Sequence, residues 1–426
     1  MKRILLTLTT LLLTPLFPLH AAEALQDSTR GTLTLALQPF VDNQIISGAV
    51  ALVADKEKVL DVMTVGFASL STKTPMREDT MFWLASITKT FTATVLMTLV
   101  DDGKVNVDDP VEKYLPEFKG QQVTDATDKT KTHPPKHPMT IKELLTHTSG
   151  IIGPNDPPIK RNNVLKEDAE QYGAAPMKWE PGTRYEYNNS GINTAGRIIE
   201  VVSGMPYGDF VKQRLLDPLG MTDTTFWPDE KQVARLAMTS RFNKEKSALE
   251  DLPNKPDKAW LNQPPNVPHV PLNVRTYLGD ALRAYPNHYA WPAGGLFSTA
   301  PDLAMFGQTM LNHGVSHGKC LVSEASFKRM TTVVPSAVPM NPKPSIGLGW
   351  FVKPNDNEGP VAGSFGHNGA RGPELWVDPT HQLVMILLIE SMDIHQRGQP
   401  PGDAQKKFRA AFFKAAVEKY GRPASH

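Results

Sequence analysis

The chain has 426 residues, with 45 Lys plus Arg against 44 Asp plus Glu and a formal net charge of +1. So even a balance gives no long-range attraction to nucleic acid or to an anionic membrane, and the length is enough for a large core with two or three lobes. A single cysteine, Cys320, excludes an internal disulfide.

Residues 1–24 read as an export signal. Lys2 and Arg3 precede an apolar run from Ile4 to Leu19, and Ala22-Glu23-Ala24 fits a small-residue cleavage site. The run is shorter than the ~20 apolar residues that a membrane span needs, and Pro15 and Pro18 interrupt it. No cysteine lies near the cut, so no lipid anchor and no stable membrane span are expected in the processed protein. Export without disulfides points to a bacterial periplasm or exterior, and leaves 25–426 as the mature chain.

Residues 30–43 read as a helix, and 48–55 with 58–69 as an antiparallel hairpin. Residues 82–103 (FWLASITKTFTATVLMTLVDDG) carry Phe91, Val95 and Leu99 at helical spacing from Ile87 onward, and Asp101-Asp102-Gly103 reads as the helix end. Residues 104–140 are polar and Pro-rich. His133, His137 and His147 match no metal-ligand spacing and read as solvated loop residues. Thr140 is placed to cap a short helix ending in a Ser-Gly turn, and 192–204 and 208–220 read as amphipathic helices closed by Gly. Long loops are expected over 228–290, and a helix capped by Ser298 or Thr299 follows. Residues 347–353, 374–379 and 382–391 read as strands, the last two as a hairpin across Asp378-Pro379, and 403–421 as an amphipathic helix. Strands near both chain ends imply one sheet built from the two ends, with an α/β lobe from 25–102 and 291–426 and a helical and loop lobe over 103–290.

Three short motifs carry the chemistry. Ser86 and Lys89 stand three apart at the start of the buried helix, where side chains are roughly 5–6 Å apart at Cβ. A serine becomes a nucleophile when a base takes its proton, and a lysine can be that base when desolvation lowers its pKa. Taken alone, the pair also reads as a helix cap beside a solvated lysine, and Ser316 and Lys319 repeat the spacing in a stretch that reads as a turn. Tyr187-Asn188-Asn189 offers a phenol for proton transfer and an amide that could hold Lys89 and a substrate amide, although an isolated Tyr187 also reads as a buried structural tyrosine. Tyr285-Pro286-Asn287 is a second copy, without the helix that follows the first. His367-Asn368-Gly369 is the one His-x-Gly in the chain. Its Gly would let a substrate backbone lie against an edge strand, and in isolation it also reads as a polar turn.

In this order, Ser86-Ile87-Thr88-Lys89, Tyr187-Asn188-Asn189 and His367-Asn368-Gly369 resemble the motifs of the serine β-lactamase and penicillin-binding protein superfamily. The flanks TMFWLASITKTFTA, ELLTHTSGI, PGTRYEYNNSG and PAGGLFSTAPDLA are similar to the class C β-lactamase-like serine hydrolases, over roughly residues 30–420. The resemblance implies an α+β fold, an antiparallel sheet flanked by helices beside an all-helical lobe, and no cofactor or metal. It implies Ser86 as nucleophile, Lys89 and Tyr187 sharing acid and base work, Asn189 positioning Lys89 and a substrate amide, and an oxyanion site at the N–H groups of Ser86 and Ala370, beside Gly369. True class C β-lactamases have Lys-Thr-Gly where this chain has His367, which offers hydrogen bonds at neutral pH and is expected to gain charge near pH 5. Arg371 is a candidate replacement cation. The expected function is a secreted serine hydrolase acting on a small-molecule or peptide ester or amide, D-alanyl peptidase-like or esterase-like. The alternatives are a β-lactamase and a non-catalytic penicillin-binding or sensor domain.

Overall fold

The computed structural model describes residues 31–154, 156, 158–159, 164–252, 290–335, 345–354, 360–393 and 402–422. The export signal expected at 1–24 and the Tyr285-Pro286-Asn287 copy lie outside them. The elements that place the site are α1 (Thr32–Asp42), β1 (Gly48–Ala54), β2 (Val59–Ser69), β3 (Thr74–Pro75), α2 (Thr88–Asp101), α3 (Leu165–Ala174), α4 (Asn189–Ser203), α5 (Ala300–Leu311), β4 (Phe351–Val352), β5 (Phe365–Asn368), β6 (Glu374–Asp378), β7 (Leu383–Leu388) and α6 (Gly402–Tyr420).

The architecture is α+β. Seven antiparallel strands run in the order β4-β5-β6-β7-β1-β2-β3, so the two chain ends meet where β1 pairs with β7, Val50 opposite Leu388. The apolar run of β1 is buried throughout because both faces of the sheet are covered. Ala49, Ala51 and Val53 face one core with Leu33 and Leu37 of α1 and Phe408 and Phe412 of α6, while Val50 and Leu52 face the other with Phe91 of α2 and Phe306 of α5. The edges are the two-residue strands β3 and β4, too short to template pairing with another chain.

Strand over 347–353 is a correction. Only Phe351–Val352 is extended, and 347–350 is a turn closed by Gly347 N–H on Trp350 O at 2.8 Å, which drops Leu348 and Trp350 into the core. The 208–220 segment is helical but irregular, with a wide turn at Lys212–Leu216, and ends at left-handed Gly220 as the sequence predicts.

Helix α2 is buried from Thr88 to Leu99. Its threonines would leave hydroxyls stranded, but Thr90, Thr92 and Thr94 donate back to Ile87 O, Thr88 O and Thr90 O at 2.8, 3.2 and 2.7 Å. Ahead of it, Phe82–Trp83 pairs with Phe297–Ser298 and Ala85–Ile87 makes one tight helical turn. Helix α4 packs on α2, on α3 and on the short helix Ile141–Leu145, whose Thr140–Glu143 capping box is present. Among the described residues no helix is long and apolar enough to cross a membrane.

Gly366 sits where β5 meets β6, and a Cβ there would lie 2.0 Å from Leu375 O and 2.9 Å from Trp376 Cα. Both obstacles are backbone, so relief requires opening the ladder that carries His367. Gly366→Ala is expected to cost at least ~2 kcal/mol in denaturant unfolding, and a variant as stable as the parent would show that β5 and β6 can separate.

Candidate active site

The nucleophile turn is built by a short backbone strain. Ala85, buried at 2 % exposure, has φ +45°, a left-handed conformation uncommon outside Gly. It turns the chain from the Phe82–Trp83 strand into α2 and leaves Ser86 on the last residues before the helix. Its N–H has no backbone acceptor among the described residues.

Lys89 is fully buried, and its Nζ donates to Ser86 Oγ at 2.9 Å and to Ala293 O at 2.6 Å. Burial alone drives its pKa well below the ordinary lysine value. The Ala293 carbonyl is itself held in place. Ala293 N–H donates to Asn193 Oδ1 at 3.3 Å, Trp83 Nε1 donates to Gly294 O at 2.6 Å, and Leu296 N–H donates to Thr88 Oγ1 at 3.1 Å. Asn193 and this turn are site-building residues that motif reading missed, because neither carries a titratable group.

The ring of Tyr187 lies 4.8 Å from Lys89 Nζ, and its hydroxyl is turned toward the Ser86 side chain. Tyr187 keeps 40 % of its surface exposed, yet desolvation of the phenol is the largest effect and raises its pKa, outweighing the Ser86 contact. The hydroxyl is thus turned inward while another flank of the residue meets solvent. The environment pushes Lys89 down and Tyr187 up, each toward its uncharged form.

Asn189 opens α4, but the structure does not bring it to Lys89 by a hydrogen bond. Its Oδ1 is buried and has no partner among the described residues, and Ala293 O takes the place expected of it. Asn188 does the capping instead: its Oδ1 accepts from Ser190 N–H at 2.7 Å and its Nδ2 donates to Ile151 O at 2.8 Å.

His367 on β5 is 2 % exposed and stacks on Phe351 at 4.2 Å and 27°. Desolvation, then the charges of Lys89 and His147, hold its pKa well below the ordinary imidazole value. The expectation that it gains a proton near pH 5 is therefore corrected: it is a buried neutral ring whose Nδ1 donates to Asn368 O at 2.7 Å. Gly369 is also needed for packing, since a Cβ there would lie 2.5 Å from Leu84 O. That contact sets exposed Ala370 beside the nucleophile turn, its N–H without a backbone acceptor among the described residues. Arg371 is no free cation. Its guanidinium lies 4.0 Å from Glu390, whose buried carboxyl is pushed up to about 8 chiefly by desolvation, and it also contacts Met392.

His147, expected in a solvated loop, is 3 % exposed and lies in the site, its ring 4.6 Å from that of Tyr187. Burial and the Lys89 charge lower its pKa to about 3. The ELLTHTSG stretch held the signal, since a His directly after a capped apolar helix enters the core with it. His137 is the loop residue expected, 3.5 Å from Glu143, whereas His133 sits in the two-residue strand Thr132–His133, paired with Val123 and 3.7 Å from Glu180. Ser316 and Lys319 lie on the two arms of a two-residue hairpin as expected of a turn, and among the described residues the Ser316 hydroxyl meets only neighbouring His317 Nδ1 at 3.0 Å. The same hairpin spells Gly314-Val315-Ser316-His317-Gly318, a G-x-S-x-G pattern, but no strand-to-helix elbow forms there.

Groups buried neutral in the fold but free to protonate when unfolded make stability depend on pH. With both histidine pKa values depressed, their contribution is fully present above an unfolded imidazole pKa near 6.5 and is lost as pH falls, for His147 down to about 3. His367→Gln is expected to flatten the pH dependence of the unfolding free energy below pH ~6.5 by up to ~1.4 kcal/mol per pH unit. An unchanged slope in urea titrations would place a charged or hydrated His367 in the folded state.

The Beta-lactamase family model matches residues 33–408. Protein Rv1367c of Mycobacterium tuberculosis (strain ATCC 25618 / H37Rv) is 28% identical over 382 residues, 83% of this chain and 88% of that protein. A protein of Escherichia coli (strain K12) named "Putative D-alanyl-D-alanine carboxypeptidase" is 28% identical over 329 residues, 72% of this chain and 68% of that protein. Among solved structures, EstCE1, titled a hydrolase with promiscuous acyltransferase activity, superposes with a TM-score of 0.70 at 21% identity, covering 92% of this chain and 100% of its own. Simvastatin synthase (LovD) from Aspergillus terreus superposes with a TM-score of 0.70 at 20% identity, covering 91% and 98%. The structural likenesses are likenesses of fold, and with the profile match over most of the chain they lead to one conclusion: the chain belongs to the Beta-lactamase family and is a serine hydrolase of the β-lactamase and penicillin-binding protein fold.

Proposed function

We propose that the protein is an exported hydrolase that cleaves ester or amide bonds through an acyl-enzyme on Ser86, and that its substrates are uncharged where they meet His367. The observation that carries the reading is the 2.9 Å contact between Ser86 Oγ and the fully buried Lys89 amine. A neutral amine has two N–H groups and one lone pair. One N–H satisfies Ala293 O, and the lone pair can take the Ser86 proton as Oγ attacks the substrate carbonyl. The tetrahedral oxyanion is met by the N–H groups of Ser86 and Ala370, fixed donors of a kind typically worth several kcal/mol. The leaving group takes its proton from the Tyr187 phenol, which is regenerated from Lys89, and water repeats the sequence to release the acid.

The electrostatics support the substrate class. His367 is buried and pushed toward its neutral form, and the Arg371 guanidinium is packed against Glu390 and Met392 with 11% of its side chain exposed. Neither offers the fixed cation that holds a substrate carboxylate, so small esters and D-amino-acid amides rank ahead of anionic β-lactams. A D-alanyl peptidase is the second reading, favoured by the name of the Escherichia coli relative. Export rests on the pattern of residues 1–24 and the single cysteine.

Ser86→Ala is expected to abolish ester hydrolysis and covalent labelling, since losing such a nucleophile typically costs ~10⁶-fold in kcat, while Ser316→Ala changes neither. Lys89→Arg should be nearly inactive because Arg does not give up its proton. A panel of p-nitrophenyl esters, D-alanine amide, D-alanyl-D-alanine and a cephalosporin tests the class. Equal kcat/KM for the cephalosporin and the esters would overturn the preference for neutral substrates.

A further inference from the structure

We infer that His147 is the positioning residue for Tyr187: it grips the backbone on both sides of that residue and braces the ring between. The inference rests on the acyl-enzyme reading, in which Tyr187 serves Ser86. The His147 carbonyl accepts from Glu186 N–H at 2.9 Å, and its Nδ1 accepts from Asn188 N–H at 3.2 Å. Its ring lies against Tyr187, 4.6 Å between centroids at 43°, and edge-on to Tyr185 at 6.0 Å and 88°. Two hydrogen bonds and a ring contact from one side chain and its own carbonyl thus fix the residues before, at and after the phenol.

The backbone of His147 is shaped for this. Its φ of +57° is left-handed, and in that conformation its carbonyl and its ring both meet the 186–188 stretch. The segment is anchored at its far end, with Thr148 N–H on Glu143 O at 3.0 Å and Gly182 N–H on Thr148 O at 2.9 Å. Only a neutral ring with its proton on Nε2 can accept at Nδ1. A protonated ring would point a second donor at Asn188 N–H beside Lys89 and His367, the charged and titratable groups that act on this cluster. His147 makes no hydrogen bond to Ser86 or Lys89 among the described residues, so it acts through Tyr187.

Two substitutions separate the acceptor from the ring. His147→Asn keeps an acceptor at the Nδ1 position and tolerates a left-handed backbone, whereas His147→Gln carries its amide past that position. With an activated ester as substrate, His147→Gln is expected to lower kcat about 100-fold with KM within about threefold, the scale of a small misplacement of a reacting group. His147→Asn is expected to recover most of that loss. In a Tyr187→Phe background, His147→Gln should cause no further loss. Equal losses for Asn and Gln, or additive losses with Tyr187→Phe, would overturn the inference. Should the Gln variant not fold, imidazole ¹⁵N shifts of the wild-type protein decide: His147 is expected to hold an unprotonated Nδ1 from about pH 5 to about pH 8, and titration near the free-imidazole value of about 6.5 overturns the clamp. Labelling of wild-type Ser86 by a fluorophosphonate is the control. Its failure would sink the acyl-enzyme reading, while the imidazole shifts would still judge the clamp.

Discussion

The site depends on an amine kept away from water. Lys89 enters the core on a helix whose every turn is buried, and among the described residues no carboxylate stabilises its charged form. The fold supplies one carbonyl, that of Ala293, and one hydroxyl, that of Ser86. Much of the surrounding detail follows from keeping that carbonyl in place. The Ala290–Leu296 turn is tied to α2 through Thr88, to the Phe82–Trp83 strand through Trp83 and to α4 through Asn193. A base made by desolvation needs no acid partner nearby, but it needs walls that do not move. The threonine hydroxyls folded back onto α2 supply such walls without admitting solvent.

The same exclusion of water acts on the neighbouring groups in directions set by their charge. It pushes the Tyr187 phenol toward keeping its proton and pushes His147 and His367 toward losing theirs. One amine, one phenol and two imidazoles are therefore all biased toward their uncharged forms. Catalytic charge arises only during the reaction, where the donors around Ser86 are already aimed. Arg371, set 4.0 Å from the buried Glu390 carboxyl that desolvation pushes toward keeping its proton, follows the third motif directly after Ala370.

The sequence made the fold legible wherever periodicity was strong. The two-sided apolar runs of β1 and β7, the spacing along α2 and the Gly-ended helices α4 and Tyr207–Leu219 lie where residue pattern places them. Ser86, Lys89 and Tyr187 meet as their motifs imply, because short helical spacing and a turn fix their geometry locally. What pattern could not show came from long-range packing. Whether His147 and His367 are wet or dry depends on Tyr187 and Phe351, which are distant in sequence. The Lys89 partner is a backbone carbonyl, which every residue possesses and no motif advertises. Asn189 fits its motif in letter, yet the hydrogen bond expected of it is made by residue 293.

The pairing of β1 with β7 has a consequence for how the molecule is made. Val50 waits for Leu388, so the centre of the sheet stays open until nearly the whole polypeptide has been synthesised. At ribosomal speeds that is roughly 20–70 s during which the β1–β2 hairpin exists with one apolar edge unclaimed. A chain that stops before β7 leaves the inner edge of β1 without its partner strand, the kind of unpaired edge that templates pairing between copies.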